Sequence, residues 1–158
     1  MASKKRVRIF AGPNGSGKSS LFRGLQQEIK EKAGIFINAD EIESRLNQSS
    51  LIDLKLLGLN ANQTTLEEFA SLPDARSLIE KAIDAGHIID LQIKENCLVD
   101  NSKGSHSYEG SFIASFIRHL LVEQNKSFSF ETVMSHSSKI SEISEMKGSG
   151  YTPYLYFV

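Results

Sequence analysis

The sequence predicts an α/β protein, a mostly parallel sheet flanked by helices. Three observations carry that expectation. Apolar, β-branched runs of strand length alternate with amphipathic stretches of helical period. The first strand run leads through a glycine-rich turn directly into a helical run. The run Ile35-Phe36-Ile37 is apolar without alternation, as a strand buried on both faces would be.

In chain order, residues 7–11 (Val7-Arg8-Ile9-Phe10-Ala11) read as the first strand. Residues 18–32 read as a helix, with Leu21, Phe22, Leu25 and Ile29 at helical spacing and a stop near Gly34. Residues 34–38 form the second strand, and residues 40–46 a short helix. Residues 47–63 are polar in part, with a leucine cluster from Leu51 to Leu59. Thr65 with Glu68 has the T-x-x-E pattern of a capping box. Pro73 suits a helix first turn, and Leu78, Ile79, Ala82 and Ile83 give that helix one apolar face, ending at Gly86. Residues 88–93 and 97–99 read as two strands around Lys94-Glu95-Asn96, a small hairpin. Residues 101–107 are a polar loop.

Residues 108–124 give the strongest amphipathic helix. Phe112, Ile113, Phe116, Ile117, Leu120 and Leu121 recur on one stripe. Residues 127–131 alternate as a third main strand. Residues 137–147 read as a helix with Ile140, Ile143 and Met146 inward, ended by Gly148 and Gly150. Residues 154–158 are a fourth strand. The expected organisation is one domain over residues 1–158, with an atypical helical and hairpin insertion around 47–107. The chain stops on a strand, and a buried parallel strand ordinarily leads on to another element. The fold is therefore expected to be truncated at its C-terminus.

Composition narrows the classes. The 158 residues are 40% hydrophobic and 23% charged, ordinary for a globular domain. A net charge of -1 gives no electrostatic case for a nucleic-acid or membrane surface. No run approaches the roughly 18 apolar residues of a membrane span, and no apolar segment of a signal peptide follows the basic start. Cys97 is the single cysteine, so no internal disulfide forms and a reducing, cytoplasmic location is expected.

The chemistry concentrates in Gly12-Pro13-Asn14-Gly15-Ser16-Gly17-Lys18-Ser19, a G-x-x-x-x-G-K-S run. This is the Walker A, or P-loop, pattern, and its strand–turn–helix context is the one the motif needs. Its glycines let the backbone wrap closely, so that successive N–H groups point at phosphate oxygens. The following helix presents its positive end to the anion. The expected nucleotide-binding residues are Gly12, Pro13, Asn14, Gly15, Ser16, Gly17, Lys18, Ser19 and Ser20. Lys18 reaches the β- and γ-phosphates, and the Ser19 hydroxyl sits on Mg²⁺. The fold class sharpens to a three-layer P-loop NTPase fold that binds a nucleotide with Mg²⁺.

Two carboxylates fall just past strand ends, where open α/β sheets place ligands. Asp40 accepts the proton of an attacking substrate hydroxyl, or else Asp40 or Asn38 only caps the helix. Glu131 with Thr132 either binds substrate hydroxyls and supports Mg²⁺, or is a polar pair facing solvent. Ser135, His136 and Lys139 lack the context of a serine hydrolase. His87, His106 and His119 show no metal-ligand spacing, and Arg118 reads as a solvated-face arginine. Asn125-Lys126-Ser127-Phe128 lacks the aspartate of a guanine-recognition motif.

Taken together, the Ala11-to-Ser19 run, Ile37-Asn38-Ala39-Asp40-Glu41-Ile42 and Phe128-Ser129-Phe130-Glu131-Thr132-Val133-Met134-Ser135 resemble the zeta-toxin family of P-loop kinases. Lys147-Gly148-Ser149-Gly150-Tyr151, leading into an apolar strand, fits the same pattern. The resemblance covers the two ends of the chain and hardly touches residues 47–107. It implies an ATP-dependent phosphotransferase acting on a small-molecule hydroxyl, that of UDP-N-acetylglucosamine in characterised members, and an antitoxin protein as partner. Carried over, Lys18 and Ser19 match the phosphate and metal positions. Asp40 matches the catalytic base, and Glu131 and Thr132 the acidic substrate-contacting segment. The family's phosphate-clamping arginines after the fourth strand have no counterpart, since the last arginine is Arg118. That departure predicts nucleotide binding with weak phosphoryl transfer. The rival expectations are a non-catalytic or truncated ATP-binding module, and a kinase of another metabolite or of a polynucleotide end.

Overall fold

The computed structural model describes residues 4–24, 34–133 and 138–158. In chain order the elements are β1 (Arg6–Ala11), α1 (Lys18–Gly24), β2 (Ile35–Ile37), α2 (Ala39–Ser49), β3 (Leu51–Asp53), a 3-10 turn (Leu54–Leu57), α3 (Gln63–Ala70), α4 (Pro73–Asp84), β4 (Leu91–Lys94), β5 (Cys97–Asp100), α5 (Ser107–Glu123), β6 (Phe128–Thr132), α6 (Ser138–Gly148) and β7 (Thr152–Phe157). They form two compact units, Met1–Ile37 with Leu121–Val158, and Asn38–Leu120.

The first unit is an α/β layer structure. Its four strands run parallel in the order β2-β6-β1-β7, with helices packed on the sheet. β1 is central, and Val7, Ile9, Phe10 and Ala11 are wholly buried, which is why its sequence is apolar at adjacent positions. From β1 the chain crosses over β6 to reach β2. From β6 it crosses over β1 in the opposite direction to reach β7. Right-handed crossovers in opposite directions put their helices on opposite faces. In open α/β sheets ligands bind beyond the carboxyl ends of the strands at such a reversal, here β1 and β6.

Register decides which side chains share a face. Phe10 pairs with Glu131 and with Tyr156, so all three project toward the same side. Phe22 of α1 packs there, edge-on to Phe10 at 5.6 Å and stacked on Phe36 at 4.2 Å. Behind α6, Tyr151 donates its hydroxyl to the carbonyls of Leu121 at 3.0 Å and Lys126 at 2.7 Å. On α6 the expected inward stripe is only partly realised. Met146 is buried, while Ile140, in the first turn, is 63% exposed. Ile143, between them, is half-buried, so cover along this stripe grows toward Met146.

The second unit pairs a small antiparallel sheet, order β3-β5-β4, with helices. The β4–β5 hairpin turns through Glu95 and Asn96, both at positive φ (49° and 61°). That is the type I′ geometry whose twist suits a two-residue hairpin. Asn96 then fastens the neighbouring loop: its side chain donates to Leu59 O and accepts from Ala61 N. β3 lies in the leucine-rich stretch where the sequence pattern signals no strand. Three residues are too few to display alternation. The cap of α3 also differs from expectation. Asn62 is the N-cap and Thr65 its reciprocal partner, so the helix starts earlier than Thr65.

The core of this unit gathers on α5. Phe112, Ile113, Phe116, Ile117 and Leu120 are buried, as their spacing predicts. Phe69 of α3 packs on Phe112 and Phe116 at 5.4 and 5.1 Å. Gly110 lets α2 come close, since a Cβ there would stand 2.9 Å from the Ala39 carbonyl. On α4 the buried positions are Ala75 and Ala82, while Ile83 is 56% exposed. Small residues bring that helix close, and its larger apolar side chains lie at the margin.

Candidate functional site

The turn between β1 and α1 is built around its lysine. Lys18 opens α1 with only 6% of its surface exposed. Its ammonium bends back to donate to Gly12 O at 2.8 Å and Pro13 O at 2.9 Å. A buried cation is thus held by two neutral carbonyls at the mouth of the turn, with its charge uncancelled by them. Pro13, Asn14 and Gly15 are exposed along the crest, and Ser16 N closes back onto Pro13 O at 3.1 Å. Gly12 has no room for a side chain. A Cβ there would lie 2.7 Å from both Ser16 Oγ and Val158 O.

The adjacent strand completes the arrangement. Ser19 Oγ donates to Glu131 Oε2 at 2.9 Å, joining the first turn of α1 to the carboxyl end of β6. Thr132 O accepts from Gly12 N at 3.2 Å, which ties the start of the turn to the same strand end. Thr132 itself is buried, and Ser20 is exposed. Parallel pairing of β1 with β6 is what creates this proximity, since Phe10 and Ala11 stand opposite Glu131 and Thr132.

The residues present suit a phosphate with its divalent cation. The Ser16 hydroxyl is buried without a hydrogen-bond partner, an orphaned donor at the mouth of the turn. Lys18 supplies the charge, and Ser19 with Glu131 supplies oxygen atoms of the kind Mg²⁺ prefers.

Of the expected residues, Lys18, Ser19, Glu131 and Thr132 come together in the first unit. Asp40 belongs to the second unit, exposed in the first turn of α2. There Asn38 is the cap, its Oδ1 accepting from Asp40 N at 2.8 Å and Glu41 N at 3.4 Å. The Asp40 carboxylate is not the capping group. Residues 134–137, which include Ser135 and His136, lie outside the described residues.

Two expectations are corrected. Arg118 is 7% exposed rather than solvated, because α5 is packed around more of its circumference than one stripe. His87 and His106 do join a polar cluster, in the second unit. His106 Nδ1 lies 2.5 Å from Asp100 Oδ2, and His87 Nε2 contacts Glu109 Oε1. The only local trace is the i, i+3 spacing of His106 and Glu109 at the start of α5, since Asp100 and His87 arrive from other elements.

No protein-family model, curated protein or solved structure matches the chain. Among the described residues, no helix is long and apolar enough to cross a membrane.

Proposed function

We propose that the chain is an ATP-dependent phosphotransferase of the zeta-toxin type, built on a P-loop. Its acceptor is a small-molecule hydroxyl, with UDP-N-acetylglucosamine the first candidate. The observation that carries this reading is the pairing of a buried, carbonyl-held Lys18 with the Ser19–Glu131 hydrogen bond at the ends of β1 and β6.

In this reading the turn's N–H groups and Lys18 bind the phosphates of ATP, and Lys18 offsets the charge that spreads over the transferring phosphoryl group. Ser19 and Glu131 would hold Mg²⁺, which would supply charge to offset that developing on the phosphoryl group. Glu131 and Thr132 orient the acceptor. Asp40 takes the proton of the acceptor hydroxyl as its oxygen bonds to the γ-phosphorus. The bond from that phosphorus to the β-phosphate oxygen breaks, leaving ADP. The role of Asp40 rests on the resemblance and on its place in the chain just past β2.

A second reading is a nucleotide-binding module without catalysis, for which the Lys18, Ser16 and Ser19 groups of the turn would suffice. The deciding experiment incubates the chain with Mg²⁺-ATP and UDP-N-acetylglucosamine and weighs the sugar nucleotide, with ATP affinity measured in parallel by calorimetry. A gain of one phosphoryl group, lost with Lys18→Ala, supports the kinase. ATP binding without transfer to sugar nucleotides, free sugars or 5′-hydroxyl oligonucleotides supports the binding module. Absence of ATP binding overturns both.

A further inference from the structure

We propose that Asp100, His106 and Glu109 form a binding site for one divalent transition cation of the zinc class, a site separate from the nucleotide turn. Each of the three offers one ligand atom, and these atoms all lie within 4.8 Å of one another. All three residues are buried, and the Glu109 side chain is 0% exposed. They converge from the end of β5, the residue before α5 and its first turn.

An independent observation points to a ligand. Glu109 Oε1 is engaged by His87, while Glu109 Oε2 is buried with no hydrogen-bond partner. A carboxylate oxygen removed from water and left unpaired is costly, and a cation satisfies it. The remaining atoms are already oriented. Asp100 Oδ1 accepts from Ser102 N at 2.8 Å, which leaves Oδ2 facing His106. The His87 ring is stacked on Tyr108 at 5.4 Å and meets the outer oxygen of Glu109, as a second residue behind a metal ligand does.

The donor set selects the ion. One imidazole nitrogen with two carboxylate oxygens suits Zn²⁺ and its neighbours better than Mg²⁺ or Ca²⁺, which take oxygen shells. Three protein ligands leave one tetrahedral position for water or a small anion. The cation would take the place of the hydrogen bond between Asp100 and His106.

The test uses the full chain, tag-free, dialysed against a chelator and free of nucleotide. ZnCl₂ is titrated by calorimetry and by thermal unfolding. The expected result is one Zn²⁺ per chain, a Tm that rises with Zn²⁺ concentration, and at least a 10-fold affinity loss in both Glu109→Gln and His106→Ala. Glu109→Gln keeps an acceptor for His87 while removing the charge. Co²⁺ absorption of the unaltered chain gives a readout that needs no variant. Intense visible bands of tetrahedral Co²⁺ support the site, and the weak spectrum of aqueous Co²⁺ overturns it. Failure to bind stoichiometric Zn²⁺, or unchanged affinity in both folded variants, also overturns it and leaves a hydrogen-bonded His–carboxylate network.

Discussion

The two units reach their polar sites by opposite routes. In the first, most of the site is a contiguous stretch of chain, residues 12–19, and the fold adds one strand end. In the second, Asp100, His106 and Glu109 lie close in sequence, at the end of β5 and the start of α5, and His87 comes from farther away. The sheets show the reverse. The first unit joins distant segments, Arg6 opposite Thr152, while β4 and β5 of the second are neighbours across a two-residue turn. A site encoded in one stretch is held by long-range pairing. A site assembled from several stretches sits on locally formed elements. Legibility in sequence therefore follows the contiguity of the site and not the simplicity of the fold around it.

The largest expected effect tests whether the second unit is held by its α5 core. Phe116→Ala should cost about 3–5 kcal/mol of stability, the usual range for emptying a buried aromatic site. Hydrogen exchange read by mass spectrometry should then show the β4–β5 amides losing protection before those of β1. Equal loss in both units would erase the contrast drawn above.

Next comes the contiguous site. Lys18→Ala should lower phosphoryl transfer by about 10²–10³-fold, the effect of removing one charge-stabilising donor. The thermal midpoint should hardly move. A large drop in Tm would make Lys18 a structural tie between turn and helix instead. Asp40→Asn should lower kcat by about 10²-fold while leaving ATP affinity unchanged. Loss of affinity together with turnover would argue that Asp40 serves α2 and not the reaction.

A smaller effect probes the closure of the first unit. Tyr151→Phe removes a hydroxyl that two carbonyls share, and should cost about 1–2 kcal/mol. Burial raises the Tyr151 pKa above its ordinary 10.0, and Lys5 Nζ lies 5.2 Å from the ring centre. The unfolded chain therefore loses this proton first. The stability Tyr151 contributes is fully present below about pH 10 and falls as pH rises through the folded value. Chemical denaturation at stepped alkaline pH should show that loss in the wild type and a shallower one in Tyr151→Phe.

The smallest effect concerns Cys97, opposite Asp53 in the small sheet. Burial raises its pKa, with the charges of Asp53 and Glu95 adding to the shift. Its thiolate is therefore scarce near neutrality. Alkylation by iodoacetamide should run several-fold slower than for a free cysteine, and Asp53→Asn should recover part of the rate. A rate equal to the free thiol would mean the sheet does not hold the two side chains together.

Much of the fold was legible in residue order. Strands 7–11, 34–38, 127–131 and 154–158 appear within a few residues of expectation as β1, β2, β6 and β7. β1 and β6 are buried along most of their length, whereas β2 is only partly covered and Leu155 and Phe157 of β7 are 45% and 73% exposed. Every residue of the predicted α5 stripe is buried, and Glu109, Ala114 and Arg118 are buried beyond it. The α4 and α6 stripes are covered less well. Helical period says which side chains share a face, and not whether anything covers that face. The cap of α3 was misplaced because Asn62 and Thr65 satisfy each other more directly than Thr65 and Glu68.

What the sequence determined by itself is what short-range covalent geometry controls. It set the periods of helices and strands, the turn at Glu95-Asn96 and the glycine-lysine-serine order of the candidate nucleotide turn. Neighbours in sequence are neighbours in space at that scale. The tertiary structure alone decided which strands lie side by side, and hence that Glu131 receives the Ser19 hydroxyl. It alone buried Arg118 and brought His87 onto Glu109 from outside α5. Those outcomes depend on segments distant in the chain competing to remove apolar surface from water, and no local pattern records which of them win.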